Sequence, residues 1–137
     1  MKKIIILAII IIAVILISKS RDKEKTIITV ETQSESQNLN WQEFQSKASS
    51  DNAVVVDIRT AGEYNAGKLF PDALVDFDYY ESDFEQKVSE LDKDKTYLIY
   101  CRSGNRSGKS IQIFEKYGLK VYDLDGGHKA TPTGSLK

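Results

Sequence analysis

The chain has 137 residues, and 19 lysines and arginines stand against 20 aspartates and glutamates, so no excess of either sign argues for nucleic acid or an acidic partner, and any anion site must be local. A single cysteine excludes an intramolecular disulfide, and a single histidine excludes a multi-histidine metal centre within one chain. No metal, no cofactor and no nucleic acid are expected, and the domain is expected to be a monomer.

Met1-Lys2-Lys3 precedes fourteen unbroken apolar residues, Ile4 to Ile17. That is the layout of a basic region followed by a membrane-directing apolar segment. As a helix the run rises about 21 Å against a hydrocarbon core of about 30 Å, so it spans only with help from Ser18 and snorkelling lysines. The alternative is a cleaved signal peptide, with Ser18 and Ser20 as small residues at the positions a peptidase reads. A buried core helix is the bland alternative, and it conflicts with a segment apolar on every face. The expectation is therefore an N-terminal hydrophobic helix over residues 1–18, a membrane anchor through residues 4–18 or a signal peptide, with the domain outside the cytoplasm, anchored or secreted. Residues 19–37 are charged or polar apart from Ile27-Ile28-Thr29-Val30 and read as a linker. The patch is otherwise a stray edge strand without a partner. The folded domain is expected over residues 38–137.

Asn40 is placed to cap a helix through Ala48, with Glu43 completing a capping box and Trp41, Phe44 and Ala48 on one face. Ala53 to Ile58 is a continuous, largely β-branched run, as in a strand buried on both faces of a parallel sheet. A turn-rich stretch follows, then a short strand at Leu74 to Phe77. Phe84, Val88 and Leu91 at helical spacing predict a helix from about Ser82 to Leu91. Thr96 to Tyr100 is another buried strand, Cys101 to Arg106 a loop, Ser107 to Tyr117 a helix stopped by Gly118, and Leu119 to Leu124 a last strand. Alternating strands and helices predict an α/β fold, a small parallel sheet with helices on both faces and ligands beyond the carboxyl ends of the strands. Cys101 lies at such an end.

A thiolate is favoured at a helix N-terminus beside cations and backbone N–H donors. The run Cys101-Arg102-Ser103-Gly104-Asn105-Arg106-Ser107 supplies all three, and Gly104 lets the chain curl so that successive N–H groups turn toward the sulfur. The bland reading, one more small buried residue, fits poorly with flanking arginine, serine and glycine.

Together with this loop, the stretch Val56-Asp57-Ile58-Arg59-Thr60-Ala61-Gly62-Glu63-Tyr64-Asn65-Ala66-Gly67 and the later Leu124-Asp125-Gly126-Gly127 resemble three blocks, in order, of the rhodanese family. The resemblance runs from Asn38 to His128. It implies a rhodanese-like fold in which Cys101 takes a sulfane sulfur from a small anionic donor such as thiosulfate, as a persulfide, and passes it to a thiol or cyanide-like acceptor. It also implies a substrate cradle of Arg102, Ser103, Gly104, Asn105 and Arg106, with the Arg102 guanidinium guiding the donor. Asp57, Arg59 and Ser107 are expected in support. Arg106 either touches substrate or braces the loop through backbone carbonyls or Asp57, and an ion pair between Arg59 and Glu63 is expected to be solvated and worth about 0–1 kcal/mol.

The chain departs from the family pattern after Gly67, where Lys68, Leu69, Asp72 and Asp76 stand at the places of the usual histidine, isoleucine, glycine and asparagine, with Ala73 at the place of the alanine. After Gly127 the tryptophan and helix common in the family are replaced by a short polar end from His128 to Lys137, expected to leave one pocket wall open or the end disordered. His128 is a candidate base or a packing residue. Two rival functions share the fold: a non-catalytic interaction module at the membrane surface, and a phosphatase or arsenate reductase. The latter needs a cradle one residue longer than the four residues between Cys101 and Arg106.

Overall fold

Three β-branched or aromatic runs and a dipeptide line up as one parallel sheet. β1 is Asn38–Leu39, β2 Ala53–Asp57, β3 Thr96–Tyr100 and β4 Lys120–Leu124, in the order β1-β4-β3-β2. The computed structural model describes residues 37–132. The apolar run Ile4–Ile17, the Ile27–Val30 patch and residues 133–137 lie outside them, so the expected N-terminal helix and its membrane role belong to undescribed residues. Among the described residues no helix is long and apolar enough to cross a membrane.

Because side chains alternate along each strand, the sheet has two apolar faces. Val56, Tyr97, Ile99 and Val121 point to one face, and Leu98, Tyr100, Tyr122 and Leu124 to the other. Helix α1, Trp41–Ala48, covers the second face through the fully buried Phe44. Its expected capping box is present: the Glu43 N–H donates to Asn40 Oδ1 at 3.1 Å and the Asn40 N–H to Glu43 Oε2 at 2.9 Å. The first face is covered by α3, Phe84–Ser89, and α4, Asn105–Lys116, with Phe84, Val88 and Phe114 buried against it. The short helix α2, Ala61–Asn65, follows β2. The expected α/β layering, helices on both faces of a parallel sheet, is what forms.

Three expected elements differ. The strand at Leu74–Phe77 shrinks to one parallel bridge between Leu74 and Val56. Leu74 sits at the open edge of β2, 39 % exposed, and beyond it Asp76 turns to Lys87 of α3 at 3.2 Å. Helix α3 is shorter than expected, since Asp83 at its start makes no side-chain capping bond. Helix α4 begins two residues early, at Asn105, because Gly104 already adopts the left-handed conformation, φ 84°, and closes the loop there.

The ring of Phe114 lies 6.0 Å from that of Tyr97, between α4 and β3. Phe114→Ala is expected to cost about 3–5 kcal/mol, read as a lower urea midpoint with an unchanged denaturant slope.

Candidate functional site

β3 ends at Tyr100, and its parallel neighbours direct the next residue to the α4 side of the sheet. Cys101 therefore enters the core under the start of α4, with no exposed surface. The Gly104 N–H donates to Cys101 Sγ at 3.1 Å and the Ser107 hydroxyl lies 3.4 Å from it. Burial by itself pushes the thiol up. The Ser107 hydroxyl and the main-chain N–H groups of Ser107, Ser103 and Arg106 outweigh it and hold Cys101 below its ordinary value. A sulfur anion is thus held by donors rather than by one counter-ion.

The loop is closed from behind by the double glycine. Gly126 and Gly127 have φ of 68° and 60°, and a 3₁₀ turn over Gly127–Ala130 lets the His128 N–H donate to the Cys101 carbonyl at 2.9 Å and the Lys129 N–H to the Arg102 carbonyl at 3.0 Å. A Cβ on Gly127 would stand 2.6 Å from the Cys101 carbonyl oxygen and 2.7 Å from the Gly104 nitrogen, closer than any real contact allows. His128 and Lys129 of this turn line a cleft beside Arg59 and Arg102.

The charged residues pair otherwise than expected. Arg106 bonds both oxygens of Glu63, at 2.8 and 2.7 Å, and not Asp57. Arg59 bonds Asp57, with Nε at 2.8 Å from Oδ1 and Nη2 at 2.6 Å from Oδ2, and reaches Glu63 only through its backbone carbonyl at 3.2 Å. Far from being solvated, the Arg59–Asp57 pair has side chains 3 % and 0 % exposed. The Tyr100 hydroxyl also donates to Asp57, at 2.7 Å, and burial first, then the Asp57 charge, pushes that hydroxyl up so that it remains a donor. Arg59 also donates to the Gly67 carbonyl at 2.7 Å, fixing the chain after α2. Arg59 and Arg106 stand 4 and 43 residues from Glu63, so spacing does not assign their partners, and only the folded chain separates them.

Glu63 also accepts from the Thr60 N–H at 3.0 Å, capping α2. The Arg106 guanidinium first, opposed by burial and helped by Thr60, lowers its carboxyl from 4.5 to about 2.

Over the loop rim lies a cleft of about 540 Å³ lined by Thr60, Glu63, Tyr80, Arg102, Ser103, Asn105 and Arg106. A neighbouring one, about 500 Å³, runs from Arg59 and Gly62 to His128 and Lys129 and shares Thr60, Glu63 and Arg102. Of the expected cradle residues, Arg102, Ser103 and Asn105 are exposed at this rim, while Gly104 and Arg106, with the supporting Ser107, turn inward toward the sulfur or its braces. The His128 imidazole is lowered by burial first and then by the Arg59 charge, and its Nε2 has no hydrogen-bond partner among the described residues. Tyr80, which stacks 5.4 Å from the Arg106 guanidinium, was not singled out in the sequence, nor was Asp123, whose one signal is an acidic residue inside the apolar strand Val121–Leu124.

A family model described as a rhodanese-like domain matches residues 40–131. A sulfurtransferase of Allochromatium vinosum is 36 % identical over 81 residues, 58 % of this chain and 72 % of that one. A tRNA uridine(34) hydroxylase of Cytophaga hutchinsonii is 33 % identical over 88 residues, 62 % of this chain, which spans only 28 % of that enzyme's length. Among solved structures, a rhodanese-like domain protein from Staphylococcus aureus superposes with a TM-score of 0.61 at 25 % identity, covering 73 % of this chain and 95 % of that one.

Two outcomes follow from this geometry. Glu63 has a depressed carboxyl, so its contribution to stability is complete above pH 4.5 and is lost as the pH falls through about 2. The urea midpoints of wild type and Glu63→Gln are therefore expected to differ most above that upper value and to converge toward the lower. Gly127→Ala is expected to slow alkylation of Cys101 at neutral pH by about tenfold or more, equivalent to one pKa unit of thiolate stabilisation. Gly118→Ala, also at a positive φ but with open space around it, is expected to lower stability and leave the alkylation rate unchanged.

Proposed function

Since the chain belongs to the rhodanese-like domain family, we propose that it is a sulfurtransferase whose nucleophile is Cys101. The observation that carries this reading is the sulfur held by the Gly104 N–H and the Ser107 hydroxyl at the start of α4. Main-chain donors of this kind serve a thiolate and, one bond further out, the terminal sulfur of a persulfide.

The Cys101 thiolate attacks the outer sulfur of a thiosulfate-type donor. A sulfur–sulfur bond forms, the bond to the sulfonate breaks, and sulfite leaves with the electron pair. A thiolate or cyanide then attacks the outer sulfur of the persulfide, and Cys101 departs as the thiolate with which it began. No net oxidant is needed. Arg102, exposed at the rim of both clefts, meets the donor's negative charge, whereas the charge of Arg106 is matched by Glu63. Because Cys101 has no exposed surface, the outer sulfur enters past the loop rim, which favours slim donors.

Intact-mass measurement after thiosulfate treatment is expected to show one added sulfur, removed by cyanide and absent in Cys101→Ser. No mass shift in the wild type would overturn the reading. Arg102→Ala is expected to slow loading from thiosulfate by about tenfold, as for loss of a charge-assisted contact of about 1.5 kcal/mol, while leaving Cys101 alkylation by a neutral reagent unchanged.

A further inference from the structure

Behind the sulfur lies a buried acid that the transfer reaction above does not use. Asp123, in β4, is 3 % exposed. Its strand neighbours in register are Ile99 of β3 and Asn38 of β1, neither of them charged. Its carboxyl turns to the first turn of α4, where Oδ2 lies 3.6 Å from the position a Cβ would take on Gly108, so the glycine admits it close to the helix. The Ser107 side chain and the Leu124 N–H are the neighbours that favour its charged form, against burial. Its Oδ1 has no partner.

Ser107 Oγ also lies 3.4 Å from Cys101 Sγ. The hydroxyl carries one proton and stands between two acceptors, a thiolate and a carboxylate. It cannot donate to both. If Asp123 carries a proton, the conflict disappears, because the carboxyl becomes the donor to Oγ and the Ser107 proton is left for the sulfur.

We propose that Asp123 is a positioning residue for Cys101, acting through Ser107: its neutral carboxyl donates to Ser107 Oγ and aims the single hydroxyl proton at the sulfur. The inference rests on the reading of Cys101 as the nucleophile and adds a control over its charge.

The surroundings support a neutral acid. From α4 the facing groups are Ser107 and Gly108, from the cysteine loop the sulfur itself, and from the chain after β4 the negative charge of Asp125. The cation of the neighbouring turn, Arg106, is bound to Glu63. Burial above all pushes the Asp123 carboxyl up, to about 7, against Ser107 and Leu124. When Asp123 ionises, its proton passes to solvent, the Ser107 hydroxyl turns its hydrogen bond to the carboxylate, and the sulfur loses a donor and gains a negative neighbour. Cys101 and Asp123 then titrate as a pair, in two macroscopic steps.

The test follows Cys101 thiolate by its ultraviolet absorbance and by its iodoacetamide rate from about pH 4 to about pH 10. Wild type is expected to give a curve broader than one proton's titration. Asp123→Asn, which keeps a donor and drops the charge, is expected to give a single-proton curve with its midpoint lower by about one pH unit. In a Ser107→Ala background the Asp123→Asn shift is expected to fall to less than half. Superimposable wild-type and Asp123→Asn curves, or a shift unchanged by Ser107→Ala, would overturn the proposal. A measurement that leaves position 123 intact guards against a misfolded variant: the carbon-13 titration of the Asp123 carboxyl should move to lower pH in Cys101→Ser, and no movement counts against the coupling. Sulfur loading of the same samples separates the two readings. Loading with a single-step titration ends this inference alone, and a two-step titration without loading ends the transferase reading alone.

Discussion

Cys101 is asked to carry negative charge at a position with no exposed surface, and burial opposes that charge. Water is not there to stabilise it, so the backbone must. Most of the unusual local geometry serves this need. Gly104 turns left-handed to bring its own N–H to within 3.1 Å of the sulfur, and α4 starts at once so that the free N–H groups of its first turn point the same way. Gly126 and Gly127 let the returning chain tie down the Cys101 and Arg102 carbonyls, leaving the opposite edge of those peptides, their N–H groups, for the anion.

A ring of donors has to be kept open against its own flexibility, and the charged residues do that at a distance. Glu63 joins the end of β2 and its short helix to Arg106 in the loop, 43 residues away along the chain. A two-point bond of this kind fixes orientation as well as distance. The Arg59–Asp57–Tyr100 cluster holds the carboxyl ends of β2 and β3 together beneath it. Removing one member would leave a buried charge unmatched, which costs far more than the net worth of the intact pair. These groups are therefore scaffold for the cysteine loop, and Arg102 is an exposed cation at its rim.

The elements that sequence reasoning recovers are those whose signal is local. The β-branched run at Ala53–Asp57, the Asn40–Glu43 capping box and the glycine after α4 each act within a few residues, and each is found where expected. The cysteine loop is legible for the same reason, since its donors, cations and glycine are contiguous. What is not legible depends on distant partners. β1 is two residues whose only claim to be a strand is the exposed edge of β4. The exchange of partners between Arg59 and Arg106 is decided by depth: the pair nearest the strand ends is buried, and Glu63, on α2, faces the loop. Asp123 is one letter in an apolar strand until α4 is laid over it.

Depth also explains why a buried acid is tolerated behind a buried anion. Two charges on either side of one hydroxyl would repel in a medium that screens them poorly, and the fold supplies no cation between them. In the proposed arrangement one charge is shared out by a chain of donors, and the proton stays on the group less well supplied with N–H donors. Cys101 has donors from Gly104 and the first turn of α4, whereas Asp123 is a buried carboxyl whose Oδ1 has no partner among the described residues. The sulfur is therefore the better-provided site, and in the proposed reading it is the sulfur that carries the charge.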